Sequence, residues 1–199
     1  VDGSPVYAFA QDPSVCNGAV GRAQAAKIRK IYELAAQNGA PVVGIFDSDG
    51  AKLGEGLDAM DAIAQLLLSS NNLSGVVPQI AVITGACVGT SALIAATSDL
   101  VVMVKDGSYY LSKDDEGGKP DVLAEDEADA LAKTKALLSY LPSNNLAAPP
   151  VYESAAAPMG ACAAAGDCPA AVADPGTLLV LSEGSACVTA FGQVDGMAC

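Results

Sequence analysis

Two stretches combine an apolar strand, a glycine-bearing turn and a helix. The first is Pro41-Val42-Val43-Gly44-Ile45-Phe46-Asp47-Ser48-Asp49-Gly50, leading to a helix from about Glu55. The second is Pro78-Gln79-Ile80-Ala81-Val82-Ile83-Thr84-Gly85, leading through Ala86-Cys87-Val88-Gly89-Thr90 into another helix. Turns of this kind present backbone N–H groups that hold a developing negative charge without a charged side chain. The chain contains no histidine. Ser-His-Asp and Cys-His schemes are thereby excluded, and backbone donors carry the weight of any chemistry. Asp47 and Asp49 flank the first turn; they form either a metal or acid–base pair, or turn and capping hydrogen bonds. Cys87 lies in the second turn, either as a thiol activated by a helix dipole or as a small buried filler.

The elements that must position these turns follow from periodicity. Val6–Ala10 reads as a buried strand ended by Asp12-Pro13. Arg22–Gln37 reads as a helix whose apolar face is Ile28, Ile31, Leu34 and Ala35, stopped at Gly39. Pro41–Phe46 is a strand. Glu55–Leu68 is a helix with Leu57, Met60, Ile63, Ala64 and Leu67 at helical spacing, ended by Ser69-Ser70-Asn71-Asn72. Pro78–Thr84 and Leu100–Val104 are strands, Gly89–Ala96 is a short helix, and Ser108–Leu111 pairs nearby. Lys113–Asp121 reads as a loop, and Ala124–Tyr140 as a helix with Ala128, Leu131, Leu138 and Leu141 on its apolar side. Leu146–Pro175 has no period. A last β region covers Thr177–Leu181, Ala186–Phe191 and Gln193–Cys199. Val1-Asp2-Gly3 and Val194-Asp195-Gly196 read as equivalent hairpin turns, so the tail strand is expected beside Val6–Ala10, within the chain or across a dimer, burying Val188, Ala190 and Val194.

Bulk composition narrows the function classes. The 199 residues suffice for one sizeable core. Hydrophobic residues make up 51% and aromatics 5%, a balance that fits aliphatic layers of alternating strands and helices. The net charge of −13 argues against nucleic acid and anionic membrane as partners. No apolar run reaches the roughly 18 residues of a membrane span. The opening residues Val1–Pro5 have neither a basic region nor an apolar run, so a secretory leader is not expected and the expected location is cytoplasmic. The six cysteines show no CxxC pair, and no metal site is expected; they read as reduced thiols, with Cys162 and Cys168 the pair most suited to a bridge.

Several motifs, in order, resemble the carboxyltransferase subunits of biotin-dependent acyl-CoA carboxylases and decarboxylases. Val6-Tyr7-Ala8-Phe9-Ala10-Gln11-Asp12 resembles their opening strand, and Asn17-Gly18-Ala19-Val20-Gly21 their Gly-Gly-x-x-Gly turn. Asp47-Ser48-Asp49-Gly50-Ala51-Lys52-Leu53-Gly54-Glu55-Gly56 resembles Asp-Ser-Gly-Gly-Ala-Arg-x-x-Glu-Gly. Gly75-Val76-Val77-Pro78-Gln79-Ile80, Ala96-Thr97-Ser98-Asp99 and Leu137-Leu138-Ser139-Tyr140-Leu141-Pro142 resemble later family motifs, so the likeness covers roughly residues 6–142.

The resemblance implies an α/β, crotonase-like (ClpP/crotonase) ββα spiral over residues 1–145, a linker over 146–175, and the start of a second domain or a completing β hairpin over 176–199. It implies carboxyl transfer between carboxybiotin and the α-carbon of an acyl-CoA. One backbone donor to the enolate oxygen would come from Gly50-Ala51 and one from Gly89-Thr90, with Lys27 and Lys52 contacting the phosphates of coenzyme A. Biotin would arrive on a carrier protein or domain, and a second carboxyltransferase domain or subunit would complete a homo- or hetero-oligomer. The departures are specific. Thr90 replaces a family glycine, and Asp49-Gly50 replaces Gly-Gly. No Thr-Gly-Pro segment follows Tyr110, so the pocket wall there is missing or comes from another chain. A non-catalytic structural subunit and a crotonase-type acyl-CoA hydrolase are the alternative readings.

Overall fold

The computed structural model describes residues 1, 3–112 and 117–151, with the backbone of residues 188–189 and 192–193. It divides into two units, Val1–Pro150 and Val151–Cys199. Among the described residues no helix is long and apolar enough to cross a membrane.

The first unit is built on a parallel sheet. Its elements in order are β1 (Tyr7–Ala10), α1 (Arg22–Asn38), β2 (Val42–Ser48), α2 (Leu57–Leu73), β3 (Gln79–Val88), α3 (Thr90–Ala95), β4 (Leu100–Val104), β5 (Ser108–Tyr110), β6 (Val122–Ala124) and α4 (Glu127–Tyr140). The strand order is β1-β2-β3-β4-β6, with β5 joined to β3. Strands starting near Pro41, Pro78 and Leu100 are parallel neighbours, as the strand–helix–strand alternation requires: Val43 faces Ile80, and Val82 faces Val102. The ten-residue β3 serves two partners in succession. Ile80–Ile83 pair with β4, and Ala86–Val88 pair with β5.

Two cores flank the sheet. Val20, Ile28, Tyr32, Phe46, Leu66, Ile83 and Ile94 belong to the core under α1, α2 and α3, while Val43, Val82, Val102 and Ala130 belong to the one under α4. Phe9 stacks edge-on against Phe46 at 5.6 Å and Tyr32 at 6.0 Å, pinning α1 to the sheet. α1 closes on Gly39 in the left-handed region (φ 57°), as its glycine stop predicts.

Several sequence expectations are corrected. α1 buries Ala25, Ile28, Tyr32 and Ala35, with Ile31 half-buried against the same core, so its core face adds Tyr32 and leaves Leu34 at its border. α2 does not stop at Ser69; it continues to Leu73 because Ser70 is buried and satisfied within the core. Its buried face is Ala59, Ala62, Ile63, Leu66, Ser70 and Leu73, while Leu57 and Met60 lie in solvent. β3 runs on past Thr84 to Val88, because Gly85 bulges rather than turns the strand. Val122–Ala124 form a strand, so Ala124, read as the first residue of the helix, ends β6 instead; α4 begins only at Glu127, and its buried residues are Ala130 and Thr134. Asp126 sets that start by accepting the Asp129 N–H at 2.8 Å. In the tail, Val188–Thr189 pair antiparallel with Gly192–Gln193. The expectations for 152–187 and 194–199, including Cys162 and Cys168, lie outside the described residues.

The motifs around Gln79 and Asp99 prove to be one joint. The Gln79 N–H donates to Asp99 Oδ2 at 2.8 Å, and the Asp99 N–H donates back to the Gln79 carbonyl at 2.9 Å. The Gln79 side chain, 2% exposed, accepts from Ser70 Oγ and donates to the Ser70 carbonyl. Ser70 Oγ also meets Thr97 Oγ1 at 2.9 Å. Asp121 repeats the device on the next strand, accepting the Val101 N–H at 2.7 Å. Replacing Asp99 by Ala strands a buried amide that has a charged acceptor. The expected loss is about 1.5–3 kcal/mol of stability, read as a shifted urea midpoint with unchanged slope.

Candidate functional site

The two glycine turns meet at the carboxyl ends of β2 and β3, where parallel sheets commonly bind ligands. Phe46 faces Ile83 but Ser48 faces Cys87, so β3 bulges around Gly85. The Asp47 carboxylate fills the concavity and accepts the Ala86 N–H at 3.0 Å. A β-carbon on Gly85 would lie 2.5 Å from that carboxylate, so any larger residue there has to push it aside. Asp49 accepts from the Asn17 side chain at 2.9 Å, and its N–H donates to the Asn17 carbonyl at 3.1 Å. Both acids are therefore spent on holding turns together, the second of the two readings their spacing allowed.

Beneath the turns lies a buried hydroxyl pair. Ser48 and Ser91 are fully buried; Ser91 Oγ donates to Ser48 Oγ at 2.9 Å, and Ser48 Oγ accepts the Gly50 N–H at 3.1 Å. This pair ties the β2 turn to α3. The sequence reading passed over both serines, although alternation along β2 places Ser48 on the same side as Phe46. Gly50 adopts φ +93°, and a β-carbon there would sit 2.9 Å from the Val88 carbonyl oxygen, 3.4 Å from Thr90 Oγ1 and 3.5 Å from the Thr90 nitrogen. Gly50 and Thr90 are thus immediate neighbours.

The donors at this junction are not equivalent. The Gly50 N–H is taken by Ser48, and the Gly89 N–H donates to the Tyr110 carbonyl at 3.0 Å. The Ala51 and Thr90 N–H groups have no acceptor among the described residues. Of the four expected residues, Ala51 and Thr90 therefore carry the open donors, while Gly50 and Gly89 shape the backbone. Thr90 Oγ1 is buried with no hydrogen-bond partner among the described residues. Cys87 is fully buried, and burial pushes its thiol up to about 12, which makes it a filler rather than a nucleophile.

Lys27 and Lys52 come together on one cleft of about 370 Å³, lined also by Cys16, Ala19, Gly21 and Glu55. Val20 joins cleft and turn: its N–H donates to the Gly50 carbonyl at 2.7 Å, and its carbonyl accepts the Lys52 N–H at 2.9 Å. Glu55 organises the opposite side. It accepts the Arg22 N–H at 2.7 Å, capping α1 from another element, and pairs with Lys52 at 3.1 Å. These contacts hold its carboxyl below the usual range, the Arg22 amide most of all, and the same carboxylate raises the Lys52 ammonium. A β-carbon on Gly21 would lie 2.6 Å from Glu55 Oε1, and one on Gly18 2.0 Å from the Asp47 carbonyl oxygen. Gly18, at φ +66° and against backbone, is thus required by close approach, whereas a side chain at 21 would push the Glu55 carboxylate aside.

A family model, the carboxyl transferase domain, matches residues 1–112. The chain belongs to this carboxyl transferase family. The α subunit of methylmalonyl-CoA decarboxylase from Veillonella parvula is 37% identical, over 77% of this chain and 35% of that subunit. The β chain of propionyl-CoA carboxylase from Roseobacter denitrificans is also 37% identical, over 76% and 34%. A solved transcarboxylase 12S structure, described as a hexamer assembly with hydrolysed methylmalonyl-coenzyme A bound, superposes with a TM-score of 0.74 at 29% identity, over 79% of this chain and 35% of that one. The chain spans about a third of the length of these relatives. The family and the crotonase-like ββα spiral implied by the sequence motifs are both borne out.

Gly85→Ala must displace Asp47 from Ala86 and is expected to cost about 1–3 kcal/mol in chemical denaturation. Gly54→Ala, where a β-carbon meets nothing within 4 Å, is expected to cost nothing. Glu55, whose folded pKa is depressed, contributes stability that is complete above the ordinary value of 4.5 and is lost as pH falls through the lowered one. Glu55→Gln is therefore expected to make stability fall less steeply below pH 4.5 while leaving the slope above pH 6 unchanged.

Proposed function

We propose that this chain is the acyl-CoA-holding part of a biotin-dependent carboxyltransferase. The observation that supports it most is the pair of open N–H groups, on Ala51 and Thr90, on two turns that touch at the strand ends. When the α-carbon of a thioester loses a proton, its carbonyl oxygen gains the charge. Two fixed backbone donors stabilise that oxygen, each by roughly 3–4 kcal/mol in comparable oxyanion sites. The cleft carrying Lys27 and Lys52 begins one residue beyond Ala51, which supports assigning these ammonium groups to the phosphates of a coenzyme A whose thioester lies at the turn. Biotin, delivered on a carrier protein or domain, supplies the carboxyl group. No described residue is assigned to its ring, which this reading gives to a second carboxyltransferase domain or subunit in a cytoplasmic oligomer. The 1–145 segment is then the acyl-CoA domain, with 146–175 as linker and 176–199 leading into further structure.

A second reading, a structural subunit without turnover, is favoured by one observation. Thr90 brings a buried, unpartnered hydroxyl to within van der Waals reach of Gly50, at a position where the family carries glycine. Titration calorimetry with coenzyme A and propionyl-CoA separates the two. Binding by the unaltered chain, weakened about ten-fold by Lys27→Ala or Lys52→Ala, supports the acyl-CoA reading. Silence from the unaltered chain with binding restored by Thr90→Gly supports the structural subunit, and silence from both ends the acyl-CoA assignment.

A further inference from the structure

Both arginines of the chain, Arg22 and Arg29, line one small pocket between α1 and α2. It lies on the side of α1 opposite Gln24 and Lys27, and so apart from the lysine cleft. Its volume is about 160 Å³; the buried Ala25 and Ala62 leave the room, and Asp61 and Gln65 close it from α2. From Arg22 to Ile31, α1 carries four bases and no acid, in a chain whose net charge is −13. Arg29 is half-buried and lacks a counter-ion. Its Nη1 donates to Gln65 Oε1, a neutral acceptor, and no carboxylate among the described residues pairs with it. Its Nε is buried and has no hydrogen-bond partner among the described residues. A charged donor left in that state is costly, and folded proteins normally match it. Arg22 is held only loosely, 3.8 Å from Asp58 with both side chains in solvent, a pairing of little strength. Asp61 adds the one acidic group of the pocket. Its Oδ2 accepts the Gln65 amide at 2.8 Å, and its Oδ1 accepts from no described residue.

We propose that this pocket binds a small oxyanion that keeps a proton at neutral pH, the chemistry shared by hydrogen phosphate and hydrogen carbonate. Two guanidinium groups against one carboxylate leave the pocket positive, which sets the sign of the ligand. Guanidinium forks match the oxygen edge of such an ion. Asp61 sets the proton. A ligand with acceptors alone brings its charge against that carboxylate, whereas an O–H donates to Oδ1. Sulfate has the shape of phosphate but no proton, so it is disfavoured. The volume is well below the roughly 300 Å³ at which pockets take larger organic ligands, so an ion fits and a nucleotide does not. The proposal goes beyond the acyl-CoA reading and does not depend on it.

Isothermal titration of the full chain at neutral pH and constant ionic strength tests this, with sodium phosphate, sodium hydrogen carbonate and sodium sulfate as separate titrants. One of the two protonated ions is expected to bind about ten-fold more tightly than sulfate, and the tighter of the two identifies the ligand. Arg29→Lys keeps the charge but loses the fork, and is expected to weaken that binding about ten-fold. Asp61→Asn removes the repulsion and is expected to narrow the preference over sulfate to less than about three-fold. Lys27→Ala, in the other cleft, is expected to change neither value. Far-UV circular dichroism on each variant checks that the chain is folded. Absence of binding by both protonated ions overturns the proposal. So does sulfate binding as tightly as they do, or a preference over sulfate that survives Asp61→Asn. Binding lost in Lys27→Ala and kept in Arg29→Lys also overturns it, by placing the anion in the lysine cleft, and leaves the acyl-CoA reading standing.

Discussion

The Asp47 carboxylate, seated in the bulge of β3 and holding the Ala86 amide, is the contact on which the rest of the site depends. A regular ladder between β2 and β3 would keep the strands in step and put Gly50 one level away from Thr90. The bulge instead advances β3, so that Ser48 stands beside Cys87 and the two turns converge. Glycine at 85 is the steric condition for the carboxylate to enter, and the Ser48–Ser91 hydroxyl pair fixes the result from below. Convergence at the strand ends is thus a property of one acid, one glycine and two hydroxyls rather than of the sheet alone.

Much of this was legible in the residues. The strands near Pro41, Pro78 and Leu100, their parallel order and the glycine stop of α1 follow from apolar runs and punctuation, because those signals are local. The proximity of the two turns was also foreseeable, since successive right-handed crossovers bring strand ends to one edge. What escaped was whatever depends on a distant partner. Gly85 looks like a turn until Asp47 is seen opposite it. Ser70 looks like a helix stop until Gln79 and Thr97 satisfy it. Glu55 belongs by sequence to the start of α2 but acts as the cap of α1. The face of α2 was misread for a different reason. Ile63 and Leu67 do face the core, but Leu57 and Met60 obey the same spacing from the other side, and Ala59, Ala62, Leu66 and Leu73 complete the inner face instead.

The departures from the family pattern now have locations. Asp49, in place of a glycine, is absorbed by Asn17 and leaves the backbone at Gly50 free to turn. Thr90 is not absorbed: its hydroxyl stays without a partner next to Gly50, a cost that tertiary structure normally removes. Between Tyr110 and β6, the described residues 111–112 and 117–121 form neither helix nor strand. One of the two changes at the turns is therefore silent structurally, and the other touches the junction itself.

The divided pairing of β3 has a consequence for how the molecule breathes. β2 and the first half of β3 have neighbours on both edges and lie between two cores, so their amides can open only when the whole unit opens. β5 is three residues long and rests on the far end of β3 alone. It is the piece of sheet whose release disturbs least, and its Tyr110 carbonyl is what occupies the Gly89 N–H. Sub-global release of β5 would therefore hand the junction a third free amide while Ala51, anchored through Val20, stays in place. One wall of the site is as rigid as the fold itself, and the other is only as rigid as a three-residue strand.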